Sequence, residues 1–232
     1  MLGGSSVTLD GSTGYVAAAS PTTHTDSYSQ TAYFKTTTRV GGTIMGYSPD
    51  QTGAGPATGS DRVVFMENDG KIAFAQRAGN RFAFIRSATT FADGRWHQVT
   101  ATYGAGIMNL YVDGDLQAST PALTPITNAV TPAPGYLRAG YTNLSNFYLV
   151  FGRNVTTLTA PLSFYFNGSI DEVADFPTEL TPAQVRAMWA AGAAGQLVTI
   201  AGESVPPSTP GSLSATTTSS SVSPTEPGGG TS

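Results

Sequence analysis

Three acidic residues in one short segment are the strongest candidates for catalysis in this sequence. Asp171, Glu172 and Asp175 follow an Asn-Gly turn, and pairs of carboxylates carry out glycoside hydrolysis. On a strand, neighbouring residues point to opposite faces, and Asp171 and Asp175 are about 13 Å apart on one face. Hydrolytic pairs span roughly 5 to 9.5 Å. The spacing therefore predicts a protein that is not an enzyme, with glycoside hydrolysis as the disfavoured alternative.

Metal and thiol chemistry have little support in the residue types. The chain has no cysteine and two histidines, His24 and His97, which removes disulfides, thiolate zinc sites and thiol nucleophiles. His97 alternates in phase with Val99 and Ala101, so we expect a half-buried histidine with its hydrogen bonds satisfied. The spacing supplies neither histidine with a catalytic or zinc-binding partner.

Aromatic and amide side chains in a stretch without clear strand pattern are candidates for ligand binding. Exposed rings can stack on the apolar faces of sugars, and amides can add hydrogen bonds. The predicted ligand-binding residues are Tyr141, Asn143, Phe147 and Tyr148, with Phe151, Asn146 and Asn154 nearby. The competing interpretation, which is favoured, places these rings in the core or in a subunit interface, where large aromatics contribute most of the energy.

Charge and composition exclude several partners. Charged residues make up 11% of the chain and the formal net charge is -4, so no field attracts phosphate backbones and nucleic acid is not an expected partner. No apolar run approaches the roughly 20 residues of a membrane helix. The first ten residues also lack the pattern of an export signal. The chain is therefore expected either to be a segment of a longer exported protein or to reach the exterior without secretion, as virion proteins do.

Turns and alternating strands must position these side chains. Asp-Gly and Asn-Gly pairs recur between short runs rich in aromatic and β-branched residues, which is typical of an antiparallel sandwich. Predicted strands cover residues 28–36, 62–66, 71–76, 96–103, 107–112 and 163–176. In the pair joined at residues 104–106, Met108, Leu110 and Val112 share the core face of one strand. Its neighbour has Val99 and Ala101 on the core face and a hydroxyl-rich outer face.

One helix is predicted near the end of the strand-rich region, over residues 181–191. Thr181 can act as the N-cap, Pro182 suits the first helical position, and Gln184 completes a capping box. Gly192 is expected to end the helix. Trp189 lies on the apolar stripe and is predicted to anchor the helix by packing.

Four segments together resemble the laminin-G-like, concanavalin A-like lectin/glucanase jelly-roll family. They are residues 7–16 (VTLDGSTGYV), 30–36 (QTAYFKT), 93–103 (DGRWHQVTATY) and 167–174 (NGSIDEVA). The resemblance covers about residues 5 to 192 and implies an all-β fold of two antiparallel sheets. It also implies a glycan-binding, adhesive or architectural module, because fold alone does not fix function.

The family resemblance also suggests one structural calcium ion. If the first and last strands pair as in the family, Asp10, the backbone carbonyls around Gly14, and Asp171 could meet and supply the oxygen ligands that calcium prefers. The alternative is that Asp10 forms an Asx turn and that Asp171 caps a loop by accepting backbone N–H groups. Both possibilities are open at the level of sequence.

The sequence also predicts how the chain divides into a domain and a tail, and what the whole does. Residues 1–202 are assigned to the jelly-roll domain and residues 203–232, rich in Pro, Ser, Thr and Gly, to a linker or docking tail that opens like a fibronectin type III domain. The predicted function is non-catalytic binding or adhesion outside a cell or particle, with a surface glycan or protein as partner. The alternative is a structural virion protein, a capsid decoration or a tail or fibre component, whose tail docks on neighbouring subunits through Leu213 and Val222.

Overall fold

The fold is a sandwich of two six-stranded sheets in which every paired strand is antiparallel. The computed structural model describes residues 6–23, 27–53, 61–78, 81–121, 135–145 and 161–194. The strands are β1 (Val7–Asp10), β2 (Val16–Ala17), β3 (Tyr28–Lys35), β4 (Gly42–Ser48), β5 (Asp61–Met66), β6 (Lys71–Ala78), β7 (Arg81–Thr90), β8 (Trp96–Gly104), β9 (Ile107–Val112), β10 (Asp115–Pro121), β11 (Tyr136–Ala139) and β12 (Asn167–Phe176). The predicted all-β sandwich is confirmed.

The strand order places segments that are distant in sequence side by side. Sheet one runs β1-β12-β3-β8-β9-β10, and sheet two runs β2-β11-β4-β5-β6-β7. The apolar residues of the facing strands form one core between the sheets, including Phe34, Val64 and Phe74. Among the described residues, no helix is long and apolar enough to cross a membrane.

The hairpin of β8 and β9 has its core faces as predicted. Val99 pairs with Val112 and Ala101 with Leu110, and all four side chains belong to the core. The turn uses Ala105 and Gly106 with φ of 49° and 80°. Positive φ at both positions is the conformation that matches the right-handed twist of a hairpin.

The outer face of β8 is buried at Gln98, Thr100 and Thr102, contrary to the expectation from sequence. Thr100 is 1% exposed, and its hydroxyl lies 3.1 Å from the hydroxyl of Thr31 on β3. The helix and the segment before it pack on this side of sheet one, as contacts of Tyr111 with Leu180 and Val185 show. Hydroxyl-bearing residues here are therefore part of a packed layer.

The helix α1 (Pro182–Ala193) begins as predicted but ends later. Thr181 is the N-cap, and both hydrogen bonds of the capping box with Gln184 are present. Gly192 lies inside the helix, so its prediction as the terminus was wrong. A Cβ at Gly192 would fall 1.8 Å from the Tyr33 hydroxyl, so the glycine permits close packing. Trp189 stacks on Tyr33 with 6.1 Å between ring centroids, as a packing anchor should.

The last strand is shorter and less regular than predicted. The predicted strand over residues 163–176 begins at Asn167, because Tyr165 forms an isolated bridge with Tyr141 in place of a continuous ladder. A bulge follows Asp171, where Glu172 has φ of 48°. The bulge changes the face on which the following side chains lie.

Candidate functional site

Three tyrosines from separate segments form an aromatic cluster beside the β2–β11 edge of sheet two. The rings of Tyr141 and Tyr165 stack with centroids 4.0 Å apart and planes 19° apart. The ring of Tyr15 lies 6.0 Å from that of Tyr141. Tyr141 is buried, whereas Tyr15 and Tyr165 are half-buried. We refer to Tyr15, Tyr141 and Tyr165 as the tyrosine cluster; its two outer members reach the surface.

A buried arginine holds the cluster in place. Arg138 on β11 has no exposed surface, and its guanidinium lies 4.9 Å from the centre of the Tyr15 ring. Its Nη1 donates to the carbonyl of Gly53 at 2.9 Å, and its Nη2 donates to those of Thr52, at 3.0 Å, and Asp50. Burial lowers the pKa of Arg138 from its ordinary value, and the carbonyls and rings around it compensate the buried charge.

The loop at residues 49–53 is fixed from two sides. The backbone N–H of Gly53 donates to the hydroxyl of Tyr15 at 2.8 Å, and Gln51 Nε2 donates to the Ala18 carbonyl at 3.0 Å. Together with the bonds from Arg138, these contacts attach the loop to β2 and β11. The surface around the tyrosine cluster is therefore built on a rigid support.

A second loop, residues 10–14, borders the tyrosine cluster and is organised by Asp10. The Asp10 carboxylate accepts hydrogen bonds from the backbone N–H groups of Ser12 at 2.8 Å, Thr13 at 2.9 Å and Gly14 at 3.3 Å. The bonds from Thr13 and then Ser12 hold the pKa of Asp10 well below its usual range. Ser163 Oγ donates to the Gly11 carbonyl at 3.0 Å, which joins this loop to the segment that carries Tyr165.

Of the residues predicted to bind calcium, Asp10 and Gly14 lie together in one loop, whereas Asp171 lies apart from them. Asp10 pairs with Asn167 across the β1–β12 ladder, so Asp171 lies four residues farther along β12, about 13 Å away. Asp171 accepts the backbone N–H of Glu172 at 2.9 Å. In the described part of the chain, no group of three or more His, Asp or Glu residues could hold a metal ion. Calcium binding stays a prediction.

The predicted ligand-binding stretch is described only in part. Tyr141 belongs to the tyrosine cluster, whereas Asn143 accepts hydrogen bonds from the N–H and hydroxyl of Ser145 at 3.1 and 2.7 Å and so organises its own turn. Phe147 and Tyr148 lie outside the described residues, as do Phe151, Asn146 and Asn154. Leu213 and Val222, the predicted anchors of the tail, and His24 also lie outside them.

The carboxylates considered for hydrolysis face different sides of sheet one. Asp171 pairs with Tyr33, which packs on the helix, whereas Asp175 pairs with Gln30, whose strand neighbours Tyr28 and Ala32 are in the core. The assumption that both lie on one face was wrong, because the bulge at Glu172 shifts the alternation. These two residues cannot act as a pair.

His97 has two carboxylate partners that the sequence analysis did not identify. Its Nδ1 lies 2.7 Å from Asp113 and its Nε2 3.0 Å from Asp93. Asp93 also accepts the N–H of Arg95, and Asp113 that of Gln98. The histidine is 8% exposed and rests against the ring of Phe91. The arrangement joins the turn before β8 to the turn after β9, at the open end of the hairpin, so a structural role accounts for it.

Sequence reasoning missed Arg138, Tyr15 and Tyr165 as site residues. One signal was present: Arg138 interrupts an apolar strand within Tyr136–Leu137–Arg138–Ala139, and Tyr141 follows. A lone arginine on a core strand requires a buried partner. Its partners are backbone carbonyls more than 80 residues earlier, which no local pattern identifies.

Several solved structures have a similar fold. A heptameric SAP-like pentraxin from Limulus polyphemus has a TM-score of 0.56 and 12% identity, covering 79% of this chain and 81% of its own. Domain 4 of the arabinanase AbnA from Geobacillus stearothermophilus, in complex with arabinotriose, has a TM-score of 0.55 and 17% identity, with 79% and 75% covered. The CBM40 of the Ruminococcus gnavus IT-sialidase, bound to α2,3-sialyllactose, has a TM-score of 0.53 and 12% identity, with 80% and 96% covered.

The sequence profile of a family matches most of the chain. No curated protein matches the sequence significantly. The profile Laminin_G_3, described as the concanavalin A-like lectin/glucanases superfamily, matches residues 10–186. This range includes β2 to β12 and the first turn of α1, in agreement with the two-sheet fold. The chain therefore belongs to the concanavalin A-like lectin/glucanase superfamily.

Proposed function

We propose that this protein is a non-catalytic module that binds a surface glycan outside a cell, and that the tyrosine cluster is its contact surface. The observation that carries this proposal is the contact of three tyrosine rings beside a buried arginine, with the outer two rings half-buried. Rings held in this way lose little conformational entropy when a ligand binds. Their faces offer an apolar surface to the C–H groups of a sugar ring.

The rim of the cluster adds hydrogen-bonding groups. Ser12, Thr13 and Thr52 are exposed on the two loops that border the tyrosines. A sugar needs both an apolar platform and polar groups that fix its orientation, as small-molecule sites generally combine them. The two loops are held by Asp10 and Arg138, so these polar groups are positioned before the ligand arrives.

The comparisons support a binding role in general terms. The arabinanase domain and the CBM40 module are each recorded with an oligosaccharide. Their identities to this chain are low, so they support a class of ligand and leave the sugar open. The separation of Asp171 from Asp175 supports a module without hydrolytic activity.

Truncation of the outer tyrosines tests the proposal. Binding to an array of oligosaccharides that includes arabinotriose and α2,3-sialyllactose identifies a ligand, and calorimetry measures its affinity. We expect Tyr15→Ala and Tyr165→Ala each to weaken binding about tenfold, because a ring contact of about 1.5 kcal/mol corresponds to that factor. Tyr165→Phe keeps the ring and should retain most of the affinity.

Two controls separate binding from folding. Trp96→Ala removes a half-buried ring from the other sheet and should leave the affinity unchanged, and melting curves establish that each variant is folded. Failure of every oligosaccharide on the array to bind would contradict a glycan ligand. Wild-type affinity in both alanine variants would move the contact surface away from the tyrosine cluster.

A further inference from the structure

One end of the space between the sheets contains several buried polar side chains. Gln30 lies on the inner face of β3 between Tyr28 and Ala32, both core residues. It has no exposed surface. Neither its Nε2 nor its Oε1 has a hydrogen-bond partner in the part of the chain that the structure describes. A complete carboxamide is thus buried in the sandwich without a hydrogen-bond partner among the described residues.

Polar residues of both sheets surround Gln30. Asp175 on β12 is its partner in the ladder and accepts a hydrogen bond from Tyr47 of the opposite sheet. Burial, and then the negative charge of Asp175, hold the pKa of Tyr47 far above its ordinary value. The Tyr47 hydroxyl therefore stays protonated and donates to Asp175. This bond crosses between the sheets beside Gln30.

Arg62 supplies a buried charge at the same end. It is 3% exposed, and its guanidinium lies 5.4 Å from the Tyr28 ring and 4.7 Å from the Tyr47 ring. Its Nε lies 2.9 Å from the carboxylate of Asp61. Arg62 has φ of 48°, a backbone conformation that costs free energy and persists only where the surroundings impose it.

A second glutamine adds another unsatisfied group. Val63 on β5 pairs with Ala75 on β6. The next residue along β6 is Gln76, which therefore lies beside Arg62 on β5. It is 6% exposed, and its Oε1 has no hydrogen-bond partner among the described residues. We call the region bounded by Tyr28, Gln30, Tyr47, Arg62, Gln76 and Asp175 the polar chamber.

Buried polar groups without hydrogen-bond partners are physically unfavourable. Native proteins give a partner to about 90% or more of their buried polar groups, because an unpaired group loses its hydration without compensation. Three such atoms belong to Gln30 and Gln76 in the described part of the chain. Buried water commonly fills this role, with about three hydrogen bonds to otherwise unsatisfied groups.

We propose that the polar chamber is a binding site for ordered water, held by the carboxamide of Gln30. The unsatisfied atoms of Gln30 and Gln76 include a donor and acceptors on neutral groups, and Arg62 forms an ion pair with Asp61. A small uncharged molecule that both donates and accepts fits these atoms. Asp61 and Asp175 are partly exposed, so the chamber borders solvent at this end of the sandwich.

A crystal structure of the full chain at about 1.5 Å tests the proposal directly. We expect density for water within hydrogen-bond distance of both Gln30 Nε2 and Gln30 Oε1. Density for a larger uncharged molecule in contact with the same two atoms would replace water as the occupant and overturn the assignment. A Gln30 carboxamide that bonds only to protein groups would also overturn it.

Water–amide cross-relaxation by NMR provides a second measurement in solution. The Gln30 side-chain amide protons should show nuclear Overhauser contacts with a water molecule of long residence. Gln30→Leu identifies these signals by removing them, and Gln117→Leu, a matched change on β10, should leave them in place. Gln30 amide protons without any contact to bound water would contradict the proposal even if the variant does not fold.

Discussion

Single polar residues organise this domain by bonding to backbone groups and to one another. Arg138 binds three carbonyls of one loop, and Asp10 binds three N–H groups of another. His97 bridges two aspartates of different turns. Such residues hold neighbouring loops and turns in place, since an unmatched buried polar group would cost free energy. The candidate glycan surface depends on Arg138 and Asp10.

The protonation of His97 should make stability depend on pH. Burial alone would lower the pKa of His97, but the hydrogen bonds and negative charges of Asp113 and Asp93 outweigh it and raise the pKa above 6.5. The folded state then binds the proton more tightly than the unfolded state. The stabilisation from His97 is complete below about pH 6.5 and is lost as pH rises through the folded-state pKa.

We expect the melting temperature of the wild type to fall by a few degrees as pH increases above about 6.5. His97→Gln should remove most of this dependence, because glutamine does not titrate. His24→Gln, which changes the other histidine of the chain, is the control and should retain the wild-type profile. Identical pH profiles for wild type and His97→Gln would contradict the proposed bridge.

Strand pairing determines which alternate side chains of a strand face the core and which face the outer layer. The β8–β9 hairpin places Leu110 in the core and Thr100 on the outer face. That outer face is packed against another layer, so the hydroxyls of Thr100 and Thr31 are buried. Both faces of this hairpin therefore contribute to stability, through different interactions.

Substitutions on the two faces should have unequal but measurable costs. Leu110→Ala should lower the free energy of unfolding by about 2 to 5 kcal/mol, because it leaves a cavity in the core. Thr100→Ala should cost about 1 kcal/mol, because it removes a buried hydrogen bond and leaves Thr31 with one fewer partner. Thr8→Ala, at an exposed hydroxyl on β1, should be within about 0.5 kcal/mol of wild type.

Urea denaturation of the three variants measures these differences. A silent Thr100→Ala would show that the outer face is solvated in solution, as the alternation alone suggests. A Leu110→Ala cost as small as that of Thr8→Ala would mean that the core assignment of β9 is incorrect.

At the scale of the molecule, the two ends of the described chain are joined through sheet one. The first strand pairs with the last, with Val7 opposite Ile170, and β12 inserts between β1 and β3. The loop of residues 10–14 that follows β1 borders the candidate glycan surface through Asp10 and Ser163. The pairing of β1 with β12 therefore contributes to the stability of the whole domain.

Thermal melting of the whole chain distinguishes a loop-capping Asp10 from a calcium ligand. Asp10→Ala should lower the melting temperature equally in chelator and in excess calcium, because the carboxylate binds backbone N–H groups. Asp115→Ala, an exposed aspartate on β10, is the control and should have little effect. A calcium-dependent rise in the melting temperature of wild type that Asp10→Ala abolishes would make Asp10 a ligand, since an ion bound only to the folded state stabilises it.

The sequence by itself determined the local features of this protein. Alternation in residues 96–112 predicted the core faces of β8 and β9, the capping box predicted the start of α1, and the turn residues predicted the hairpins. These features depend on neighbours within a few positions of each residue, so short-range patterns report them. The four segments that resemble the family added the prediction of a two-sheet sandwich.

Only the tertiary structure decided which distant polar side chains meet. It brought Tyr15 and Tyr165 to one surface beside the buried Arg138, enclosed Gln30, Arg62 and Asp175 between the sheets, and placed Asp113 beside His97. It also separated Asp10 from Asp171 by register and turned Asp175 inward through the bulge at Glu172. Register and bulges depend on the pairing of strands far apart in the chain, and a shift of one residue moves a side chain to the other face, so alternation within one strand cannot determine them.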